Sequence, residues 1–238
     1  MTYTWLLFDA DNTLFDYDKA EATALANSFQ QFGLDFDQAM GAQYRTINAQ
    51  IWHDYELGHI TQQALRAERF RRLFTAVNLP VDAEDFSRQY LVNLSQAGHL
   101  LDGAEALLRR LAARYHIAII TNGIASVQRP RLAASPIHDL VESFVISEEV
   151  GVAKPDPAIF DVAFARMGQP AKSEVLIIGD SLTSDMQGGL NYGIDTCWYN
   201  PAGKAASLPV TYEIGALAEL EKVLAMNEER GTRNADGH

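Results

Sequence analysis

The chain has 238 residues, of which 47% are hydrophobic and 21% are charged. This composition excludes an intrinsically disordered chain and suffices for a large core domain with a smaller insert. The net charge of −12 disfavours nucleic-acid polymers and anionic membranes as partners, although a small anion can still bind at a local site that holds a cation. The single cysteine, Cys197, excludes an intrachain disulfide.

The first apolar segment runs only from Trp5 to Phe8 and leads directly into carboxylates, which is not the pattern of a signal peptide. No apolar stretch approaches the length of a membrane span. We therefore expect a cytoplasmic protein without a membrane partner. The sequence leaves a monomer and a small homo-oligomer both open.

Short, continuously apolar segments predict strands that are buried on both faces, as in a parallel sheet. Five such segments occur at residues 5–8, 116–120, 143–146, 175–178 and, more weakly, 195–199. Helical patterns lie between them, for example Gly103 to Arg114 and Ala158 to Met167, and a last one, Leu217 to Leu224, follows the fifth segment. The alternation predicts an α/β fold with a doubly wound parallel sheet.

A second region breaks this alternation, because it contains four helical patterns and no convincing strand. The predicted helices are Lys19–Phe32, Asp37–Tyr55, Thr61–Val77 and Ala83–Ser95, with Asp37 and Thr61 as N-caps and Gly33 and Gly58 as stops. We expect an all-helical domain at residues 16–97, an α/β core at residues 1–15 and 98–226, and a polar C-terminal tail at residues 227–238.

Residues with carboxylate or hydroxyl side chains, which often take part in catalysis, follow the ends of four predicted strands: Asp9, Thr121, Ser147 and Asp180. The carboxyl ends of parallel strands share one edge of a sheet, where ligands bind. We therefore expect these residues to converge in space.

Asp9 and Asp11 form a close pair of carboxylates, which repel unless a cation or a shared proton intervenes. A carboxylate can also attack phosphorus. An Asx turn at a strand end is the alternative interpretation. Asp180 and Asp185 could bind Mg²⁺, which prefers oxygen ligands, although Asp185 also suits a helix N-cap.

Thr121, Asn122 and Lys154 are candidates for holding a phosphate. A hydroxyl, an amide and exposed backbone N–H groups can bind phosphate oxygens, and a lysine before a helix favours an anion. An ordinary turn and a solvated surface lysine are the alternatives.

Taken in order, Asp9-x-Asp11-x-Thr13, Thr121-Asn122, Lys154-Pro155 and Gly179-Asp180…Asp185 resemble the haloacid dehalogenase (HAD) superfamily. The helical insertion resembles its C1 cap. The segments FDADNTLFDYD, ITNG, ISEEVGVAKP, GGLNYG and DTCWYN, together with WHDYELGHIT in the insertion, are similar to bacterial pyrimidine 5′-nucleotidases. That branch hydrolyses nucleoside monophosphates such as dUMP, dTMP and UMP. The chain departs from many relatives by having Asp102-Gly103 where they carry Pro-Gly.

The resemblance implies a role for each matching residue. Asp9 is the nucleophile and a metal ligand. Asp11 is the general acid and base, and its backbone carbonyl is a metal ligand. Thr121, Asn122 and Lys154 hold the phosphoryl group.

Asp180 and Asp185 complete the metal site, Asp185 either directly or through water. The implied cofactor is Mg²⁺, with Mn²⁺ or Co²⁺ as possible substitutes.

Three alternatives stay open. The chain could be a phosphatase for another small ester such as a sugar phosphate, a phosphomutase, or a binding protein on the same fold. Trp52, His53 and Tyr55 are candidates for contact with a nucleobase, with helix packing as the alternative for Trp52. Phe29, Phe32, Phe70 and Phe74 are expected in the core of the helical domain.

Overall fold

The structure, a computed structural model, describes the backbone of residues 2–235 and the side chains of residues 2–229. The strands are β1 (Trp5–Phe8), β2 (His116–Thr121), β3 (Ser143–Ile146), β4 (Val175–Gly179), β5 (Asp195–Tyr199) and β6 (Tyr212–Ile214). The helices are α1 (Tyr17–Gln31), α2 (Gln38–Glu56), α3 (Gln62–Ala76), α4 (Ala83–Gln96), α5 (Ala104–Leu111), α6 (Ala125–Ala133), α7 (Ser147–Val150), α8 (Pro157–Arg166), α9 (Gln187–Tyr192) and α10 (Leu220–Ala235).

The six strands form one parallel sheet in the order β3-β2-β1-β4-β5-β6. This confirms the doubly wound α/β fold. The five predicted strands are present, and β6 was missed because its three residues, Tyr212–Ile214, are too few to show an apolar pattern. One hydrophobic core lies between the sheet and α8 and α9, where Phe160 and Tyr192 stack with ring centroids 5.3 Å apart.

The chain separates into two compact units. The first comprises residues 1–16, 100–123 and 135–238 and contains the sheet. The second comprises residues 17–99 and 124–134 and is helical. The predicted boundaries placed α6 in the α/β core, but Ile124 and Val127 belong to the hydrophobic core of the helical unit. A helical pattern in sequence does not reveal which neighbour its apolar face will cover.

The four helices of the insertion are present, and Asp37 and Thr61 cap α2 and α3 as expected, each accepting a hydrogen bond from a backbone N–H in the first turn. Gly33 and Gly58 follow helix ends with positive φ angles of 67° and 73°, a conformation that glycine adopts without steric cost. At the other end of the chain, α10 continues through Ala235, well beyond the predicted end at Leu224. The final three residues of the predicted tail, 236–238, lie outside the described residues.

Aromatic rings fill the core of the helical unit. Phe86 is the centre of this cluster, with ring centroids 4.9 Å from both Phe29 and Phe70 and 5.0 Å from Phe74. Phe32 departs from the prediction, because it is 36% exposed at the edge of the cluster.

The three candidate nucleobase contacts in α2 differ in how exposed their side chains are. Trp52 and Tyr55 are partly buried against the helical core and touch edge to face, with ring centroids 5.7 Å apart. His53 is exposed. The packing interpretation of Trp52 therefore has direct support. Among the described helices, none is both long and apolar enough to cross a membrane.

The helical unit also buries two ionisable side chains, Glu21 and Arg69, that the sequence patterns did not reveal. Glu21 is 3% exposed and accepts a hydrogen bond of 2.9 Å from Asn48 Nδ2. Arg69, which is 1% exposed, donates to Asn48 Oδ1 over 3.4 Å. Burial raises the pKa of Glu21 to about 7, although Arg69 opposes the shift.

The elevated pKa of Glu21 predicts a pH-dependent cost of folding. Between its ordinary pKa of 4.5 and about 7, the native carboxyl keeps a proton that the unfolded chain releases, so rising pH destabilises the native state. Relative to Glu21→Gln, the wild type should lose about 3 kcal/mol of unfolding free energy between about pH 4 and about pH 8. Denaturant unfolding across that range measures the difference.

Glu84→Gln is the matched control, because the Glu84 side chain is 62% exposed in the same unit. That variant should follow the wild type at every pH. A constant difference between wild type and Glu21→Gln would contradict the assignment.

Candidate active site

The polar residues predicted to converge lie at the carboxyl edge of the sheet. β1 lies between β2 and β4, with Phe8 level with Ile119 and Ile178. The chain winds from β1 to β3 on one side of β1 and from β4 to β6 on the other, so the loops after β1 and β4 diverge. Asp9 and Asp180 begin these two loops, at the topological switch point where open α/β sheets bind ligands.

Lys154 is the cation of this site, and it is buried with 1% exposure instead of lying on the surface. Its ammonium nitrogen Nζ lies 2.6 Å from Asp9 Oδ1, 2.6 Å from Asp185 Oδ1 and 2.9 Å from the carbonyl oxygen of Ile120. An ammonium group has three donors, and these partners use all of them. Lys154 therefore fixes the orientation of two carboxylates, and contact with a phosphoryl oxygen would require one of these bonds to be shared.

Asn122 holds the backbone that carries Lys154. Its Nδ2 donates to the Lys154 carbonyl over 2.9 Å, and its Oδ1 accepts from the Lys154 N–H over 2.8 Å. Thr121 is 2% exposed, and its hydroxyl accepts a hydrogen bond of 3.0 Å from the N–H of Gly123. The loop after β2 is therefore fixed to the segment before α8, and the Asn122 side chain is occupied in this link.

Asp185 is fully buried, and both of its carboxylate oxygens have partners. Oδ1 accepts from Lys154, and Oδ2 accepts from the N–H of Ser181 over 3.0 Å. The helical turn at Leu182–Met186 is capped by Ser181, so the N-cap interpretation of Asp185 is wrong. Gly179 permits this packing, because a Cβ atom there would lie 2.3 Å from Asp185 Oδ2.

Asp9, Asp180 and Asp185 form an oxygen cluster suited to a cation. One carboxylate oxygen from each lies within 4.8 Å of the other two. With Lys154 as the compensating ammonium, the four ionised groups would carry two net negative charges. Carboxylate oxygens at this spacing are the ligands of hard divalent ions such as Mg²⁺. The donor set therefore fits the predicted metal.

The charges of this cluster shift its protonation. Burial raises the pKa of Asp9 well above its ordinary value, against the pull of Lys154 and with the help of Asp185 and Asp180. Burial and the Asp185 carboxylate raise the pKa of Asp180 to about 7. For Lys154 burial acts to lower the pKa, but Asp185 and Asp9 outweigh it and raise the pKa. A divalent cation would oppose the shifts of both carboxyl groups.

Asp11 lies outside the three-carboxylate cluster but close enough to contribute to the raised pKa of Asp180. Its backbone lies in a tight turn that follows β1, in which Leu14 and Phe15 both donate to the carbonyl of Ala10 over 2.9 Å. The half-buried Asp11 carboxyl group is therefore at the same edge of the sheet as Asp9.

Two residues that shape this site could not be assigned a role from the sequence patterns. Ser181 binds Asp185 from within the loop, and Trp198 donates its indole N–H to the Asp180 carbonyl over 2.9 Å. The segment DTCWYN contained Trp198, but a tryptophan in a strand ordinarily indicates packing. Nothing in a single sequence shows that its N–H points to the loop after β4.

Two curated relatives match nearly the whole chain. Pyrimidine 5′-nucleotidase PynA of Streptococcus pneumoniae is 38% identical over 95% of this chain and 97% of its own. Pyrimidine 5′-nucleotidase YjjG of Escherichia coli is 36% identical over 94% of this chain and 99% of its own.

A solved structure also matches the chain closely. The HAD-hydrolase YfnB of Bacillus subtilis, solved bound to magnesium, superposes with a TM-score of 0.89 at 36% identity. The superposition covers 94% of this chain and 100% of YfnB.

The family model described as haloacid dehalogenase-like hydrolase matches residues 3–193, which contain every site residue described above except Trp198. The resemblance inferred from the motifs is confirmed, and the chain is an enzyme. It belongs to the haloacid dehalogenase-like hydrolase family.

Proposed function

We propose that this protein is a magnesium-dependent phosphomonoesterase in which Asp9 is the nucleophile. The observation that carries the proposal is the ion pair between buried Lys154 and Asp9, whose atoms are 2.6 Å apart. A carboxylate oxygen of Asp9 also lies within 4.8 Å of oxygens of Asp180 and Asp185 at the switch point of the sheet. The ammonium of Lys154 orients this carboxylate and opposes the rise in its pKa, and a cation bound nearby would favour its ionised form and neutralise a phosphate.

The proposed metal ligands are the carboxylates of Asp9 and Asp180 and the backbone carbonyl of Asp11. Asp185 supports the site directly or through water, and its two existing bonds to Lys154 and Ser181 favour the indirect role. When bound, Mg²⁺ supplies positive charge that neutralises phosphate oxygens. Mn²⁺ or Co²⁺ would suit the same oxygen donors.

In the first chemical step, a carboxylate oxygen of Asp9 attacks phosphorus and the bond from phosphorus to the ester oxygen breaks. Asp11 gives its proton to that oxygen, which leaves as an alcohol. Thr121, the N–H of Asn122 and Lys154 hold the transferring phosphoryl group. Because Lys154 already binds Asp9 and Asp185, it fixes the nucleophile before the substrate arrives.

The second step removes the phosphoryl group from Asp9. A water molecule attacks phosphorus as Asp11, now a carboxylate, takes its proton. The bond from phosphorus to Asp9 breaks, which releases inorganic phosphate and restores both carboxyl groups to their starting states.

We further propose pyrimidine nucleoside monophosphates as the substrates, with dUMP, dTMP and UMP as the first candidates. The support is the match to two pyrimidine 5′-nucleotidases, each at more than 35% identity and over more than nine-tenths of both chains. The net charge of −12 agrees with a small substrate and not with a nucleic-acid polymer.

Phosphate release from a panel of esters tests the proposal directly. With Mg²⁺ present, dUMP, dTMP and UMP should be hydrolysed faster than purine nucleotides and sugar phosphates. Addition of EDTA should abolish release, and excess Mg²⁺ should restore it. A preference for sugar phosphates would overturn the nucleotide assignment and keep the mechanism, whereas undiminished release in EDTA would overturn the metal requirement.

Asp9→Asn should lower kcat by about 10³-fold or more, because an amide cannot form the phosphoryl intermediate. Circular dichroism should show an unchanged fold. Asp102→Asn is the matched control, since Asp102 is exposed and should tolerate the change at full activity. Substantial turnover by Asp9→Asn would contradict the assignment of the nucleophile.

Lys154→Met should both inactivate and destabilise the protein. Removal of the ammonium leaves Asp9 and Asp185 buried without their shared partner, which typically costs about 3–5 kcal/mol. Saturating Mg²⁺ should recover part of this stability in thermal unfolding. The control Lys222→Met removes an exposed lysine and should change neither property. Wild-type stability in Lys154→Met would show that the ion pairs do not support the fold.

A further inference from the structure

Trp198 joins β5 to the loop that begins with Asp180. It lies level with Gly179, the last residue of β4, in the register of the parallel pair. The side chain is 2% exposed, and its Nε1–H donates to the carbonyl oxygen of Asp180 over 2.9 Å. The indole ring has only this one donor, and it points to the backbone of a proposed metal ligand.

Other hydrogen bonds of the loop after β4 join residues within the loop itself. Asp185 Oδ2 accepts from the N–H of Ser181 over 3.0 Å, and the Ser181 hydroxyl caps the following turn by accepting from Ser184 over 3.2 Å. These bonds fix residues 181–185 to one another. The N–H of Ser181 belongs to the same peptide as the Asp180 carbonyl, so this peptide is held on one side by Asp185 within the loop and on the other by Trp198 of β5, which ties it to the sheet.

The direction of the Asp180 carboxylate depends on that peptide. Rotation of the peptide would turn the Asp180 backbone and move its carboxylate relative to Asp9, with which it shares the cluster. Because Trp198 contacts the carbonyl and not the carboxylate, it would act on the cluster through Asp180. Groups that orient a metal ligand in this way commonly change metal affinity by 10–100-fold when they are removed.

We infer that Trp198 is a positioning residue for cation binding, and that its indole N–H holds the Asp180 carboxylate in the orientation that binds the metal. The inference rests on the metal site of the proposed function. It requires neither the nucleotide assignment nor the two-step mechanism.

Isothermal titration calorimetry with Mg²⁺ and no substrate tests the inference. Trp198→Phe keeps an aromatic ring but lacks the donor, and it should bind Mg²⁺ about 10-fold more weakly than the wild type. Trp5→Phe is the matched control, because Trp5 begins a strand at the opposite end of the sheet, where it stacks on His116 with ring centroids 4.7 Å apart. A purely structural role for Trp198 would lower the melting temperature without changing the Mg²⁺ affinity.

A second measurement does not depend on how Trp198→Phe folds. The chain has three tryptophans, so Trp5→Phe combined with Trp52→Phe leaves Trp198 as the sole one. Titration with Mg²⁺ should give a saturable change in its fluorescence, with a midpoint equal to the calorimetric Kd. Excess EDTA, which removes Mg²⁺ from the protein, should reverse the change.

The outcomes separate the inference from the proposed function. If the wild type binds Mg²⁺ and Trp198→Phe binds it equally well, or if the sole tryptophan does not respond at saturating Mg²⁺, the inference is overturned and the metal site is kept. If the wild type does not bind Mg²⁺, both are overturned. A nucleotidase assay that fails while Trp198→Phe shows weakened Mg²⁺ binding would overturn only the substrate assignment.

Discussion

The buried ammonium of Lys154 is the interaction on which the site depends. It lies 2.6 Å from both Asp9 and Asp185. Without it, two carboxylates that repel each other when ionised would be buried together without a compensating positive charge. Burial is the main cause of the raised pKa values of Asp9 and Asp180, and the negative charge that one ammonium leaves among three neighbouring carboxylates adds to it. The same imbalance that makes the cluster costly suits it to the divalent ion proposed above.

Close packing of the backbone makes this concentration of charge possible. Gly179 lies directly against the Asp185 carboxylate, where a Cβ atom would be 2.3 Å from Oδ2. Behind the site, a Cβ atom at Gly189 would lie 2.6 Å from Thr196 Cγ2, so α9 could not approach the sheet with a larger residue there. The Asp185 carboxylate therefore occupies space that is open because residue 179 is glycine.

The residues proposed for phosphate chemistry all belong to the unit that contains the sheet, including Asp9, Asp11, Lys154 and Asp180. The helical unit is stabilised in a different way, by an aromatic cluster around Phe86 and by a buried polar network. Changes in the helical unit can therefore accumulate without altering the charges that act on phosphorus. This separation is consistent with one reaction mechanism serving different substrates in one family.

The parallel α/β fold, five of its strands and the polar residues that follow them could be predicted from the sequence alone, because buried parallel strands are continuously apolar and ligands bind at their carboxyl ends. The helical insertion could be predicted from its periodicity. Features that depend on distant partners emerged only in the folded chain: the packing of α6 in the helical unit, the burial of Lys154, and the bond from Trp198 to Asp180. Local patterns encode which face of an element is apolar, whereas the partner that covers it, and the charge that a buried group meets, are fixed only when the chain folds.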